Sequence, residues 1–100
     1  MTVLWTGEAL KNLSEIEKFI GTDSPERAEK FINYLNERGE SIAQNPHIGL
    51  IVPEISNPEI RELIIKKYRI VYRLRENRIE ILTVFEGHKL LRIDELDIDS

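Results

Sequence analysis

Of the eight arginines in this 100-residue chain, four fall in one stretch. "YRIVYRLRENRIEIL", residues 68–82, carries Arg69, Arg73, Arg75 and Arg78. A guanidinium presents a planar fork of donors that matches a carboxylate or a phosphate. His47 and His88 are the two histidines. His88, with Lys89 beside it, is a candidate general acid or an ordinary loop residue. Two histidines and a carboxylate can hold a metal, but these two lie far apart in sequence with no ligand spacing, so no metal site is expected. Cysteine is absent, which excludes disulfides and thiolate sites and suits a reducing, cytoplasmic setting. No glycine-rich phosphate loop or nucleophile elbow occurs, and no cofactor is expected.

The elements that must position these residues follow from periodicity. "VLWT", residues 3–6, is β-prone. Leu10, Leu13, Ile16, Phe19 and Ile20 recur at spacings of three and four and predict a helix over 7–20, with Gly21 as its stop. Ser24 or Asp23 caps a second helix that starts at Pro25 and runs to about Ala43. Gly39 marks a bend or fray within it. The short link makes the two helices an antiparallel hairpin. "NPHIGLIVPEISNPE" reads as mostly irregular chain with room for one short strand. Strands are then expected at 61–66, 68–75 and 78–85. "KLLRI" is a further short candidate. Residues 1–92 make one domain, and 93–100 make an acidic tail expected to fray.

A turn at Glu76-Asn77 sets the register of the hairpin. One face then holds Tyr68 with Phe85, Ile70 with Thr83, Tyr72 with Ile81, and Leu74 with Ile79; it should pack on the helices. The other holds Arg69 with Val84, Val71 with Leu82, Arg73 with Glu80, and Arg75 with Arg78. Arg73, Arg75 and Arg78 lie near the turn and read as solvated surface. Arg69, mid-strand among Val71, Leu82 and Val84, is either a paired structural residue or an outward recognition residue. Arg61 faces the same side or braces the proline-rich loop through Glu54 or Glu62. Trp5 reads as a core or helix-packing residue. Tyr68 and Tyr72 should be buried with their hydroxyls at a rim.

Composition sets outer bounds. An apolar share of 41% and a charged share of 32% are those of an ordinary globular domain. No signal peptide is visible and no run approaches a membrane span, so no membrane partner is expected. The net charge of −4 conceals a basic block at 61–92 between two acidic segments. That block suits an acidic partner or a solvated sheet face, and overall acidity argues against a nucleic-acid coat protein.

"PEIRELI", "YRIVYRL" and "IEILTVFEGHKLL", preceded by "LWTGEALKNLSEIEKFI", "SPERAEKFINYL" and "NPHIGLIVPE", together resemble the RelE/ParE superfamily of type II toxins, closest to the ParE branch. The resemblance covers roughly residues 3–91. It implies an α+β domain of order β-α-α-β-β-β: an N-terminal strand, then an antiparallel helix hairpin on one face of a mostly antiparallel sheet. It also implies a cognate, ParD-like antitoxin as partner, acidic or amphipathic, and a hetero-oligomer with it. ParE-like toxins inhibit DNA gyrase by protein contact, which is not enzymatic. RelE-like toxins cleave messenger RNA on the ribosome and are the alternative.

For that alternative the resemblance matches Arg69 to the catalytic "YR" arginine, with His88 and Lys89 near the last basic site. Ile60 and Glu62 stand where lysines are expected, and no tyrosine follows Tyr72. Glu86 stands where many relatives carry histidine. The ParE-like reading is therefore preferred. Its partner-binding set is Arg61, Arg69, Val71, Arg73, Leu82 and Val84, with His88 and Lys89. The antitoxin would lie over that face or fill the helix groove.

Overall fold

A computed structural model describes residues 1–87. The order is β1 (Thr2–Trp5), α1 (Gly7–Gly21), α2 (Pro25–Glu40), a 3-10 turn (Ser41–Gln44), β2 (Leu50–Ile51), β3 (Ile60–Ile65), β4 (Tyr68–Leu74) and β5 (Arg78–Glu86). This is the expected α+β arrangement with one added two-residue strand. The candidate strand "KLLRI", the acidic tail, His88 and Lys89 lie outside the described residues. The sheet runs β1-β5-β4-β3-β2, parallel at β1–β5 and antiparallel elsewhere.

Local chemistry explains the helix ends. Thr6 caps α1: its hydroxyl oxygen accepts from the Ala9 N–H at 3.2 Å and its hydroxyl donates to the Ile81 carbonyl at 2.8 Å. One residue thus starts the helix and pins it to β5. Ser24 caps α2, with Pro25 in the first turn. α1 does end at Gly21, but through Thr22 at φ −58 rather than a left-handed glycine. Gly39 causes no fray; α2 continues through it and then tightens into the 3-10 turn. Its role is close approach: a Cβ there would lie 2.4 Å from Cζ2 of Trp5. Trp5 packs against the core as expected.

The main core lies between helices and sheet. Ala9, Leu13, Ile16 and Leu35 meet Ile70, Tyr72, Ile79 and Ile81 there. The expected register holds from Tyr72↔Ile81 to Leu74↔Ile79. Beyond it a β-bulge intervenes, and Val71 pairs with Thr83 rather than Leu82. The extra residue is Leu82, and beyond it Val84 and Phe85 exchange faces relative to the count from the turn. Val84, expected beside Arg69 on the second face, joins the helix-side core. Phe85, expected inward with Tyr68, pairs with Arg69. Thr83 turns to Asn12 on α1, whose Oδ1 accepts from the Thr83 hydroxyl at 2.7 Å and the Val84 N–H at 2.9 Å. α1 thereby satisfies β5 where β1 has ended. Asn77 is not left-handed; Ser56 and Lys66 are, at φ 56 and 55.

Candidate functional site

The sheet face opposite the helices was expected to be open. It is closed by the chain itself. The turn-rich loop 52–59 folds back over it, and Val52 packs with Ile60, Val71 and Leu82 into a second small core bordered by Ile55 and Phe85. Backbone bonds hold the loop: the Val52 N–H donates to the Ile60 carbonyl, and the Ser56 N–H to Val52. Val71 and Leu82 are therefore buried beneath this cover, and Val84 lies in the other core. None of the three presents a surface in this chain.

Arg69 departs furthest from an outward position. It is 6% exposed. Its Nε donates to Glu62 Oε2 at 2.6 Å, and Nη2 forms a further close pair with the same carboxylate. Nη1 and Nη2 also reach the two oxygens of Glu54 at 2.8 and 2.9 Å. The Phe85 ring lies beneath the guanidinium, 5.1 Å from its carbon. One cation is thus forked between two carboxylates, one from β3 and one from the covering loop. Hydrogen bonding to Glu54 is the largest cause holding its pKa above the ordinary arginine value. Of the two roles open to Arg69, the geometry is that of the paired structural residue.

Arg61 braces the loop, though through backbone rather than Glu54 or Glu62. Its Nε donates to the Pro58 carbonyl at 3.2 Å and Nη1 to that of Gly49 at 3.0 Å. Arg73 is half-buried. Arg75 and Arg78 flank Glu80 at the solvated hairpin end, at 4.0 and 2.9 Å. Tyr72 is fully buried; its hydroxyl accepts from the Gly49 N–H at 2.9 Å and donates to the Pro46 carbonyl at 2.8 Å. Gly49 is needed here, since a Cβ would lie 2.6 Å from that oxygen. Among the described residues, no three His, Cys, Asp or Glu side chains gather as metal ligands. No helix among them is long and apolar enough to cross a membrane.

A groove of about 1060 Å³ lies between the end of α1, the first half of α2 and the β3–β4 turn. Its floor is aromatic: Phe19, Phe31, Tyr34 and Tyr68. The Phe31 and Tyr68 rings pack tilted at 48° with centroids 5.4 Å apart, and Phe19 is 69% exposed. Among the described residues its rim is basic: Arg27, Lys30, Lys66 and Lys67, with the carboxylate of Asp23 beside them. Lys66 sits 5.7 Å from the Phe31 ring and Lys67 5.8 Å from Tyr68. Burial, then Glu86, raises the Tyr68 pKa. Sequence reasoning foresaw a helix groove but not its cations. The signals were Lys66-Lys67 between two strands and an aromatic, Phe19, at the edge of an amphipathic stripe.

Comparison with known proteins follows the same outline. A family model described as the ParE toxin of the type II toxin–antitoxin system parDE matches residues 3–91. Toxin RelE2 of Caulobacter vibrioides is 28% identical over 89 residues, spanning 88% of this chain and 97% of that protein. A chain of the chromosomal ParDE TA system from P. aeruginosa superposes with a TM-score of 0.73 at 24% identity, covering 86% of this chain and 95% of that one. The last is a likeness of fold.

Proposed function

Because this chain belongs to the ParE toxin family of type II toxin–antitoxin systems, we propose that it inhibits DNA gyrase in the cytoplasm by protein–protein contact and is silenced by a cognate, ParD-like antitoxin. The observation that carries this reading is the closure of Arg69. Cleavage of RNA by attack of its own 2′-hydroxyl needs a cation at the phosphate in the transition state. The arginine that the ribonuclease branch would supply is held by Glu62 and Glu54 beneath a loop. Glu62 itself stands where that branch would carry a lysine. Opening the site would uncover a guanidinium already neutralised by two carboxylates.

The antitoxin's seat is the aromatic groove. The sheet face that competed with it in the sequence reading is covered by loop 52–59, whereas the groove joins exposed apolar surface to four cations. An acidic amphipathic segment matches both.

Purified chain added to gyrase should reduce supercoiling and accumulate cleaved DNA, and the antitoxin should reverse this. Messages in induced cells should stay intact. Codon-spaced cuts with supercoiling unaffected would overturn the reading in favour of the ribonuclease.

A further inference from the structure

Three of the four hairpin arginines take no part in the closure around Arg69. Arg73, Arg75 and Arg78 share the sheet face away from the helices, with Arg73 opposite Glu80 and the Arg75 N–H donating to the Arg78 carbonyl at 2.9 Å. Among the described residues, Glu80 is the one carboxylate paired with them. It is drawn toward the turn: Nε and Nη2 of Arg78 reach Oε2 at 3.0 and 2.9 Å, and Arg75 stands 4.0 Å from Oε1. Arg73 forms no ion pair among the described residues, and its Nε is buried with no hydrogen-bond partner. Glu59 lies opposite Leu74 and so, by alternation, on the other face. Glu76, in the turn, is exposed and pairs with none of the three. Strand β1 adds only the uncharged Thr2 and Leu4, opposite Arg78 and Glu80.

We propose that this hairpin end binds the phosphodiester backbone of duplex DNA, adding a DNA contact to the protein contact through which the chain inhibits gyrase. The inference deepens the gyrase reading and rests on it for the source of the DNA. A guanidinium fork matches the oxygens of a phosphate. Three such forks beside one carboxylate concentrate positive charge on one small surface of an acidic chain. Chemistry also separates duplex from single strand. Unpaired bases are held by stacking on aromatic rings. The residues opposite these arginines across the sheet, Ile60, Glu80 and Thr2, include none. Tyr72 is fully buried, and Phe85 lies at the far end of β5 under Arg69. Arginine contact with phosphates alone positions a protein on a duplex without reading its sequence. The aromatic groove, beside the β3–β4 turn, lies at the opposite end of β4, so the two surfaces are separate.

The test uses the full-length chain and a short duplex of random sequence. On titration the amide signals of Arg73, Arg75 and Arg78 should shift. Affinity should fall with salt at a log–log slope of about −2.7, the value for three phosphate contacts. Arg73→Gln, Arg75→Gln and Arg78→Gln should each shrink that slope by about 1. Arg75→Lys with Arg78→Lys should keep the charge-driven binding, which separates loss of charge from loss of fold. Glu80→Gln removes the competing carboxylate and should tighten binding several-fold. Wild-type chain should also bind a gyrase–DNA complex more tightly than gyrase alone, and the triple glutamine variant should lose that difference. Amide shifts confined to other surfaces, a salt slope unaltered by the three glutamines, or tighter binding of single-stranded RNA than of the duplex overturns the proposal. Duplex binding at the hairpin end without any inhibition of supercoiling would leave the DNA contact standing and overturn the gyrase reading alone.

Discussion

Arg69 and Glu62 are diagonal neighbours on adjacent antiparallel strands, and their side chains close on one another at 2.6 Å beneath loop 52–59. Arg69 lies opposite Ile64, and Glu62 lies opposite Val71, so the pair shares one sheet face across one register step. Glu54 completes the fork from the loop. The arrangement holds the cover to the sheet at a point where a buried cation would otherwise cost several kcal/mol.

Arg69→Ala should destabilise the domain by about 3–5 kcal/mol, because it strands two carboxylates that are mostly buried. Arg69→Lys should recover little, since an ammonium cannot fork to both. Arg69→Met combined with Glu62→Leu should recover part of the loss, since one of the two stranded carboxylates is removed and Glu54 remains. Urea unfolding of the single and paired variants reads the coupling. If the arginine is a brace, the paired variant also retains growth inhibition; loss of inhibition in a stable paired variant would indicate catalysis by Arg69.

Tyr72→Phe should cost about 1–3 kcal/mol, because the Gly49 N–H and the Pro46 carbonyl lose their partner. The wild type should also show an alkaline dependence. Burial raises the Tyr72 pKa above 10.0, outweighing the Gly49 and Arg61 effects that lower it. The folded state therefore holds the proton longer than the unfolded chain. The stabilisation is complete below about pH 10 and is lost as pH rises through the folded value. Stability measured between neutral and strongly alkaline pH should fall less steeply in Tyr72→Phe. Tyr68, raised in the same direction, leaves a residual slope.

Gly39→Ala should be destabilising although alanine is the better helix former by about 1 kcal/mol. The new methyl would meet Trp5, so overpacking should exceed that gain, with a net loss of about 1–2 kcal/mol. Trp5→Leu in the same chain should relieve the clash. Thermal unfolding of the wild type and the two variants tests the order, and Trp5 fluorescence reports the contact in Gly39→Ala.

Asn12→Ala should cost about 1–2 kcal/mol by leaving the Val84 N–H and Thr83 hydroxyl without their acceptor. Both contacts use Oδ1, so Asn12→Asp should retain most of the stability that alanine loses. Hydrogen exchange at the Val84 amide gives a local readout: fast in Asn12→Ala, slow in Asn12→Asp.

Much of this architecture was legible in order along the chain. Apolar spacing marked both helices, Ser24-Pro25 marked the second helix start, and alternation marked three strands and the inward tyrosines. The ordered segments also pointed to the RelE/ParE superfamily. What misled was register. From Tyr72 to Leu74 the pairing follows the count from the turn, but one extra residue at Leu82 moves Val84 inward and Phe85 outward. Alternation alone cannot register a bulge, because Val84 and Phe85 are apolar and suit either face.

The sequence by itself determined which segments are helical or extended and that Arg69 lies on the sheet face away from the helices. These depend on side-chain period, which is local. Tertiary structure alone decided that loop 52–59 would cover that face, that Glu54 and Glu62 would converge on Arg69, and that four cations would ring one aromatic groove. Those outcomes join residues from elements distant in sequence. They arise from closing a whole chain around its cores, where an exposed apolar face and an unpaired buried charge must both find a partner.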